Sequence, residues 1–413
     1  MKFDTIIIGG GLSGLSCGIS LAEQGKRCAI VSSGQSALHF FGGSFDLLGY
    51  AGNQDVKSPI DALSSLNSEH PYTLVGAENV KRLSGEVPAL LKKAGVNVKG
   101  NNAENHCRLT PLGTLRPTWL TLDEYISVEN VESLKGKKIL LLNVAGYLDM
   151  PVKFIVAGLE KMGVVCEVAD FTLPELENRR ENASEMRSIN IAKTVETAGI
   201  EKVAEVINSK CENQDLVLLP AVFGWKSNEQ VEKLKQLTNC EIKLVATLPP
   251  SVPGVRLQGL LNNYFRSLGG VILSGDTVEG GVMENDKIQW VTTHNLADEK
   301  LIADDYVLAT GNFFGHGVAG APNEIYEPVF GLDVNAVNDR GEWYKEQFFD
   351  EQPYMRFGVA TDAGFKARKG GKTIENLYIA GSVLSGANQI KEASMGGLSI
   401  ITGLRVAELI KKG

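Results

Sequence analysis

Paired cysteines are missing from this sequence. The six cysteines (Cys17, Cys28, Cys107, Cys166, Cys211 and Cys240) stand singly and none forms a C-x-x-C pair, which argues against a disulfide framework and against a zinc or iron–sulfur site of the usual spacing. No metal ligands are expected. Long apolar runs are missing too: nothing approaches the roughly 18 uninterrupted residues that cross a bilayer. The N-terminal run, Ile6 to Ile8, is too short for a secretion signal and has Asp4 ahead of it. Any membrane association is therefore expected to be peripheral or through a partner. Positive charge is in deficit, with 41 Lys and Arg against 49 Asp and Glu and a formal net charge of -8, so nucleic acid is not expected as a partner. The remaining balance, 22% charged and 43% hydrophobic over 413 residues, is that of a globular chain long enough for about two or three domains.

What is present begins at the N-terminus. Phe3-Asp-Thr-Ile-Ile-Ile is a β-branched run that meets Gly9-Gly10-Gly11-Leu12-Ser13-Gly14, a G-x-G-x-x-G spacing. Apolar residues then recur at helical spacing to Gly25, and Cys28 to Val31 reads as a second strand. Strand, tight turn, helix and strand in this order open a dinucleotide-binding unit. Gly9 permits the turn, Gly11 leaves room for a phosphate against the backbone, and Gly14 lets helix and strand pack closely. The phosphate would sit on the open N–H groups of the helix start, where the helix dipole favours negative charge.

An acidic residue usually follows the second strand of such a unit and binds the adenosine ribose. Here Ser32 and Ser33 stand in its place. Either the cofactor has no adenosine, as in FMN, or Ser32 or nearby backbone does the same work less strongly. The next loop carries His39, Gly42, Gly43, Ser44 and Asp46; its small residues suit contact with a flavin, and His39 and Asp46 are candidate proton-handling groups.

Residues 51–130 are less patterned, apart from a helix expected over 80–94 and a turn-rich stretch in which Arg116 lies near Trp119 and either grips an anion or packs on the ring. Strands at 139–143, 164–168, 216–219 and 241–246 then alternate with helices at 152–162, 200–208 and 228–237, as in a parallel α/β layer. The Glu- and Asn-rich stretch 174–188 reads as a solvated surface segment. A Pro-rich entry at 248–256, ending in Arg256, leads into a helix over 257–268. Hairpin-like segments follow, then Tyr306-Val-Leu-Ala309-Thr310-Gly311. That succession points to flavin rather than nicotinamide. Near the C-terminus a strand runs into Ala380-Gly381-Ser382, with Ser382 where many flavoproteins have Asp, and Gly396-Gly397-Leu398 opens an apolar helix whose N–H groups are expected at the flavin pyrimidine edge. The fold expected is α/β, a Rossmann-like two-dinucleotide-binding flavoprotein fold, with residues 1–50 and 245–413 forming a discontinuous flavin-binding domain and 51–244 an inserted α/β domain for substrate or partner.

The N-terminal segment through Gln35-Ser-Ala-Leu-His39-Phe, the stretch Pro111-Leu-Gly-Thr-Leu-Arg116-Pro-Thr-Trp119-Leu and the stretch Leu248-Pro-Pro-Ser-Val-Pro-Gly-Val-Arg256-Leu together resemble the B subunit family of anaerobic glycerol-3-phosphate dehydrogenase. The resemblance implies an FMN flavoprotein, with FAD the alternative. It pairs with a larger FAD-containing catalytic subunit and an iron–sulfur subunit that anchors both to the cytoplasmic membrane. The complex oxidises sn-glycerol 3-phosphate to dihydroxyacetone phosphate and passes electrons to quinone for fumarate or nitrate respiration. On that reading His39 is the candidate base and Arg116 and Arg256 the candidate phosphate binders, because alcohol oxidation needs a proton acceptor and cations for the phosphate. Three roles stay open: catalytic subunit, flavin electron relay, and structural partner.

Overall fold

A computed structural model describes residues 1–182 and 185–412. Two compact units divide the chain: Met1–Ala37, Asp46–Leu90 and Leu261–Gly413 form one, Leu38–Phe45 and Leu91–Leu260 the other. The boundaries expected from the sequence lie at 50/51 and 244/245. The short segment before Asp46 belongs to the second unit because Ser44–Phe45 pairs antiparallel with Leu120–Leu122, Ser44 opposite Thr121. The segment after it belongs to the first unit because its backbone is tied there: the Gly49 and Tyr50 N–H groups donate to Glu392 O, and the Tyr72 hydroxyl donates to Leu47 O.

The first unit is built on a six-stranded sheet in the order Val271–Ser274, Cys28–Ser32, Lys2–Ile8, Ile302–Leu308, Lys372–Ile379, Lys366–Lys369. All but the last pairing are parallel. Ile6 and Ile7 in the central strand are fully buried, as expected where both faces of a parallel sheet are covered. Ile8 is level with Val31 on one side and with Leu308 on the other, and Leu308 is level with Ile379. The turns after these strands therefore leave from one edge of the sheet, the carboxyl edge at which ligands bind in such folds. Two helices back this edge. A Cβ at Gly403, in the helix Met395–Lys412, would lie 2.5 Å from Ser13 O in the helix Leu12–Ala22, so the two helices meet backbone to backbone. Thr402 Oγ1 accepts the Gly381 N–H at 2.8 Å and fixes the turn after the fifth strand. The antiparallel pair Val278–Glu284 and Lys287–Thr293 closes through Asn285 and Asp286, both at positive φ, the backbone that a two-residue hairpin requires.

The second unit holds a four-stranded parallel sheet in the order Val165–Phe171, Lys138–Val144, Leu216–Pro220, Ile242–Val245, with helices Val152–Lys161, Ile200–Lys210 and Glu229–Leu237 between successive strands. Two antiparallel sheets accompany it: Ser127–Val128, His106–Leu109, Leu115–Thr118, and Ser44–Phe45, Leu120–Leu122, Val98–Gly100. Part of the expected surface segment is a helix, Pro174–Arg180: Pro174 starts it, Glu175 and Glu177 sit in the first turn, Arg179 and Arg180 in the last, and Leu176 is buried. That charge order complements the helix dipole. Residues 183–184 of the same stretch lie outside the described residues. The helix expected from 257 begins at Val252. Ser251 Oγ accepts the Gly254 N–H at 3.1 Å, so Pro253 falls in the first turn, where a missing N–H costs nothing. Among the described residues no helix is long and apolar enough to cross a membrane.

Candidate functional site

Three turns converge at the carboxyl edge of the first unit's sheet. Gly9 sits at φ +120°, and a Cβ there would collide with Ala309 O; a Cβ at Gly14 would collide with Gly9 O. A Cβ at Gly381 (φ +84°) would lie 2.7 Å from Ser13 Cβ, and one at Gly311 would lie 3.7 Å from Ser382 Oγ. Gly10 abuts Ser32, whose Oγ lies 2.5 Å from its ideal Cβ position. Gly9, Gly10, Gly14 and Gly381 are dictated by the protein's own packing, and Gly311 by its backbone at φ +89°. Gly11 is different. Its Cβ would meet nothing nearer than Ser36 Cβ at 3.8 Å, an ordinary contact distance, so the protein's own packing does not require glycine there.

The donors around these turns fit a phosphorylated cofactor. The helix Leu12–Ala22 has no side-chain cap at Gly11 and no acidic residue in its first turn, which leaves its N-terminal amides to an anion. Ser13 Oγ and Thr310 Oγ1 are buried and have no hydrogen-bond partner among the described residues. Buried hydroxyls in native proteins are satisfied by protein, water or ligand. These groups would suit holding the phosphate and hydroxyl groups of a flavin. Among the described residues no group of three or more His, Cys, Asp or Glu is placed to hold a metal ion.

The other expected cofactor contacts divide. Leu12 is half-buried at the helix start and Ser33 is exposed. Ser32 Oγ donates to Gly34 O at 3.2 Å, so its hydroxyl proton is already engaged. Gly397 N–H donates to Asp46 O at 2.8 Å, and a Cβ at Gly397 would lie 2.7 Å from Tyr72 OH. This glycine is there for backbone packing, and its amide does not point to a ligand. Leu398 is fully buried core, with its amide on Ser394 O at 2.8 Å. Gly396 is half-buried beside them. Of the expected donors at this helix start, those of Gly397 and Leu398 are corrected to structural roles.

The remaining candidates lie in the second unit. Gly43 (φ +87°) faces the Tyr125 ring so closely that any Cβ would collide with it, and a Cβ at Gly42 would lie 3.3 Å from the Arg108 guanidinium. Ser44 is buried in strand pairing with Thr121. His39 is half-buried in the 3₁₀ turn Ala37–Phe40, and burial lowers its pKa from the usual value, which keeps the imidazole neutral and able to accept a proton near pH 7. Arg116 is half-buried on the strand Leu115–Thr118, directly opposite Arg108. Arg256 is 5% exposed. Its guanidinium pairs with the Glu124 carboxylate and donates to Phe223 O at 3.3 Å and Gly224 O at 2.9 Å. With these donors engaged, Arg256 is a structural residue, and the expectation that it grips substrate phosphate is withdrawn.

Sequence reasoning missed Arg108, Tyr125 and Glu124. The first was within reach, because His106–Leu109 and Leu115–Thr118 flank a turn at 110–114 that sets Arg108 against Arg116. It also missed a buried cluster of the first unit. His70 Nδ1 accepts the Tyr72 N–H at 3.0 Å, His70 Nε2 lies 3.2 Å from Glu392 Oε2, and Arg356 Nη1 lies 3.3 Å from Glu392 Oε1.

Residues 4–398 match the FAD binding domain family. A curated relative from Yersinia pestis bv. Antiqua (strain Antiqua), the B subunit of anaerobic glycerol-3-phosphate dehydrogenase, is 38% identical over 416 residues, 99% of this chain and 98% of the relative. The protein of the same name from Pectobacterium atrosepticum is 39% identical over 421 residues, 100% of this chain and 99% of the relative. Among solved structures, the 3-ketosteroid delta1-dehydrogenase of Sterolibacterium denitrificans aligns over 100% of both chains with a TM-score of 0.46 and 9% identity. The chain belongs to the B subunit family of anaerobic glycerol-3-phosphate dehydrogenase, flavoprotein oxidoreductases built on the FAD-binding fold.

Proposed function

We propose that this chain is a flavin-dependent subunit of an anaerobic glycerol-3-phosphate dehydrogenase complex and oxidises sn-glycerol 3-phosphate to dihydroxyacetone phosphate, its electrons going on to a quinone. The flavin half rests on one observation: the uncapped helix start at Gly11, with the Ser13 and Thr310 hydroxyls that have no hydrogen-bond partner among the described residues. The substrate half rests on the whole-length likeness to proteins named for that activity. The partners proposed are a larger FAD-containing subunit and an iron–sulfur subunit that brings this chain to the cytoplasmic face of the membrane.

FMN is our reading of the flavin. The family's description names FAD, but the end of the strand Cys28–Ser32 carries no carboxylate for an adenosine ribose, and the Ser32 hydroxyl is turned to Gly34 O. Release by denaturation followed by identification of the flavin decides it, and FAD would overturn this part.

The bound flavin supplies the hydride acceptor. Gly9 to Gly14 would hold its phosphate, and Thr310, Gly311, Gly381 and Ser382 are the further residues that would hold the cofactor. His39, kept neutral by partial burial, accepts the hydroxyl proton of the substrate, and Arg116 supplies charge for its phosphate. The test is anaerobic addition of glycerol 3-phosphate to the purified, flavin-loaded chain. Loss of the yellow colour is expected. Retention of colour with intact flavin would sink a self-contained active site. A relay reading is favoured by the engagement of Arg256, which removes one substrate-binding cation; under it the flavin bleaches only when the larger subunit is added. A structural partner without flavin would purify colourless and gain no stability from FMN.

A further inference from the structure

The most exposed large apolar side chains among the described residues, Phe348 at 85% and Phe349 at 92%, stand together in the first unit with their rings 5.2 Å apart, edge to face. The loop that carries them is held in shape. The Tyr354 N–H closes it onto Trp343 O at 3.0 Å. Gln352 spans it, Oε1 accepting the Lys345 N–H at 2.8 Å and Nε2 donating to Gln347 O at 2.9 Å, and the Asp350 N–H donates to Gln347 O at 3.1 Å. The Trp343 indole N–H donates to Val337 O at 2.6 Å and ties the loop to the chain before it. Surface loops with close ends and their own hydrogen bonds are frequent carriers of function. Rings exposed to this degree contribute little burial to the fold, while a pair held in place in advance lowers the ordering cost of an interface.

The charge around the rings says what they meet. Glu342, Glu346 and Asp350 are exposed in the same segment, against one exposed cation, Lys345; Glu351 is engaged with Arg356 at 2.8 Å. A surface that is apolar at its centre and acidic around it is repelled by anionic lipid. It is repelled equally by a second copy of itself, because a two-fold contact sets the same patch on both sides. It complements a different protein surface, an apolar pocket rimmed by Lys and Arg. The place of the loop adds a second argument. The Tyr354 ring meets that of Phe313 edge to face at 6.1 Å, and Phe313 opens the short turn two residues after Gly311, so a partner seated here lies beside the candidate flavin turn.

We propose that Phe348 and Phe349 are the anchor by which this chain docks onto the larger subunit of its complex, the rings entering an apolar pocket with a basic rim. The relatives are named as subunits. That the occupant is the larger subunit rests on the function proposed above; the docking surface itself rests on the loop.

The test is titration of the full, flavin-loaded chain against the purified larger subunit at low and high salt, for the wild type, for Phe348→Ser with Phe349→Ser, and for Glu346→Lys with Asp350→Lys. The wild type should bind, and more tightly at low salt. The serine pair should weaken binding by roughly 100-fold or more, the loss usual for aromatic anchors, with melting temperature and flavin content unchanged because both rings are exposed. The lysine pair should slow association and abolish or reverse its salt dependence. Unchanged affinity in the serine pair overturns the proposal. A wild-type dimer that the serine pair dissociates overturns it too, as does binding to phosphatidylglycerol vesicles that the serine pair abolishes, since either makes the occupant something other than a basic partner. Docking that needs Phe348 and Phe349, without flavin bleaching by glycerol 3-phosphate in the assembled complex, upholds the surface and defeats the oxidation reading. Bleaching by the chain alone, with no affinity for the larger subunit, does the reverse.

Discussion

Arg256 and Glu124 form an ion pair whose side chains are 4% and 2% exposed. Removing one member of such a pair leaves an uncompensated buried charge, at a cost of about 3–5 kcal/mol. Arg256→Met should therefore lower stability by about that amount in denaturant unfolding, whereas Arg256→Met with Glu124→Leu should regain most of it. If Arg256 instead served substrate phosphate, the single variant would raise KM and leave the unfolding midpoint in place.

The glycines of the N-terminal turn have different reasons to be glycine, and alanine separates them. Gly14→Ala collides with Gly9 O, so the variant should lose stability with or without flavin. Gly11→Ala has 3.8 Å of clearance and φ -81°, a backbone any residue adopts. It should melt like the wild type without flavin, but retain less flavin on purification. Equal flavin content in wild type and Gly11→Ala would show that the phosphate does not lie against Gly11.

Ser13 makes a complementary test. A buried hydroxyl without a partner costs stability, on the order of 1–3 kcal/mol, and among the described residues Ser13 Oγ has none. Ser13→Ala should leave the flavin-free protein as stable as the wild type or more so, and should shrink the stabilisation that saturating flavin adds, about 2.7 kcal/mol at a hundredfold excess over Kd. Thermal melts with and without FMN read both effects. An unchanged flavin increment would remove Ser13 from the site.

Much of this was legible in the sequence because it is local. The run Ile6-Ile7-Ile8, the spacing of Gly9, Gly11 and Gly14, and the alternation of apolar strands and helices from Ile139 onward each report on a few neighbouring residues. What failed to show depends on partners far along the chain. Nothing near Arg256 announces that Glu124 will neutralise it, a separation of 132 residues. Nothing near Gly397 announces that Asp46 and Tyr72 will lie against it. The division at Asp46 was hidden for the same reason: the two residues Ser44 and Phe45 pair with a strand at 120–122, and so short a strand leaves no periodic signal.

Glu392 should set part of the acid limb of stability. Burial alone would raise its pKa, but the His70 hydrogen bond and charge, the Asn388 amide and Arg356 outweigh it, and the net shift is downward. A carboxylate with a depressed folded pKa contributes stability above its unfolded value, near 4.3 for glutamate, and loses it as pH falls through the folded value. Glu392→Gln should therefore destabilise at pH 7 and should flatten the decline of the unfolding midpoint below about pH 4. A parallel decline in wild type and variant would assign the acid limb to other carboxylates.

His39 connects the proposed chemistry to pH. Its pKa is lowered by burial, so the imidazole gains its proton only below the ordinary histidine value of about 6.5. A general base works in its neutral form, and kcat/KM reports the ionisation of the free enzyme. Oxidation of glycerol 3-phosphate by the flavin-loaded protein should therefore rise with pH along a limb whose midpoint lies below about 6.5. His39→Gln should remove that limb and lower kcat by roughly 100-fold or more, the usual worth of a positioned base, without changing flavin content. The substrate phosphate has its own ionisation in this range, so dihydroxyacetone phosphate binding serves as the control: a limb shared by product affinity belongs to the ligand, and a limb confined to turnover and lost in His39→Gln belongs to the base.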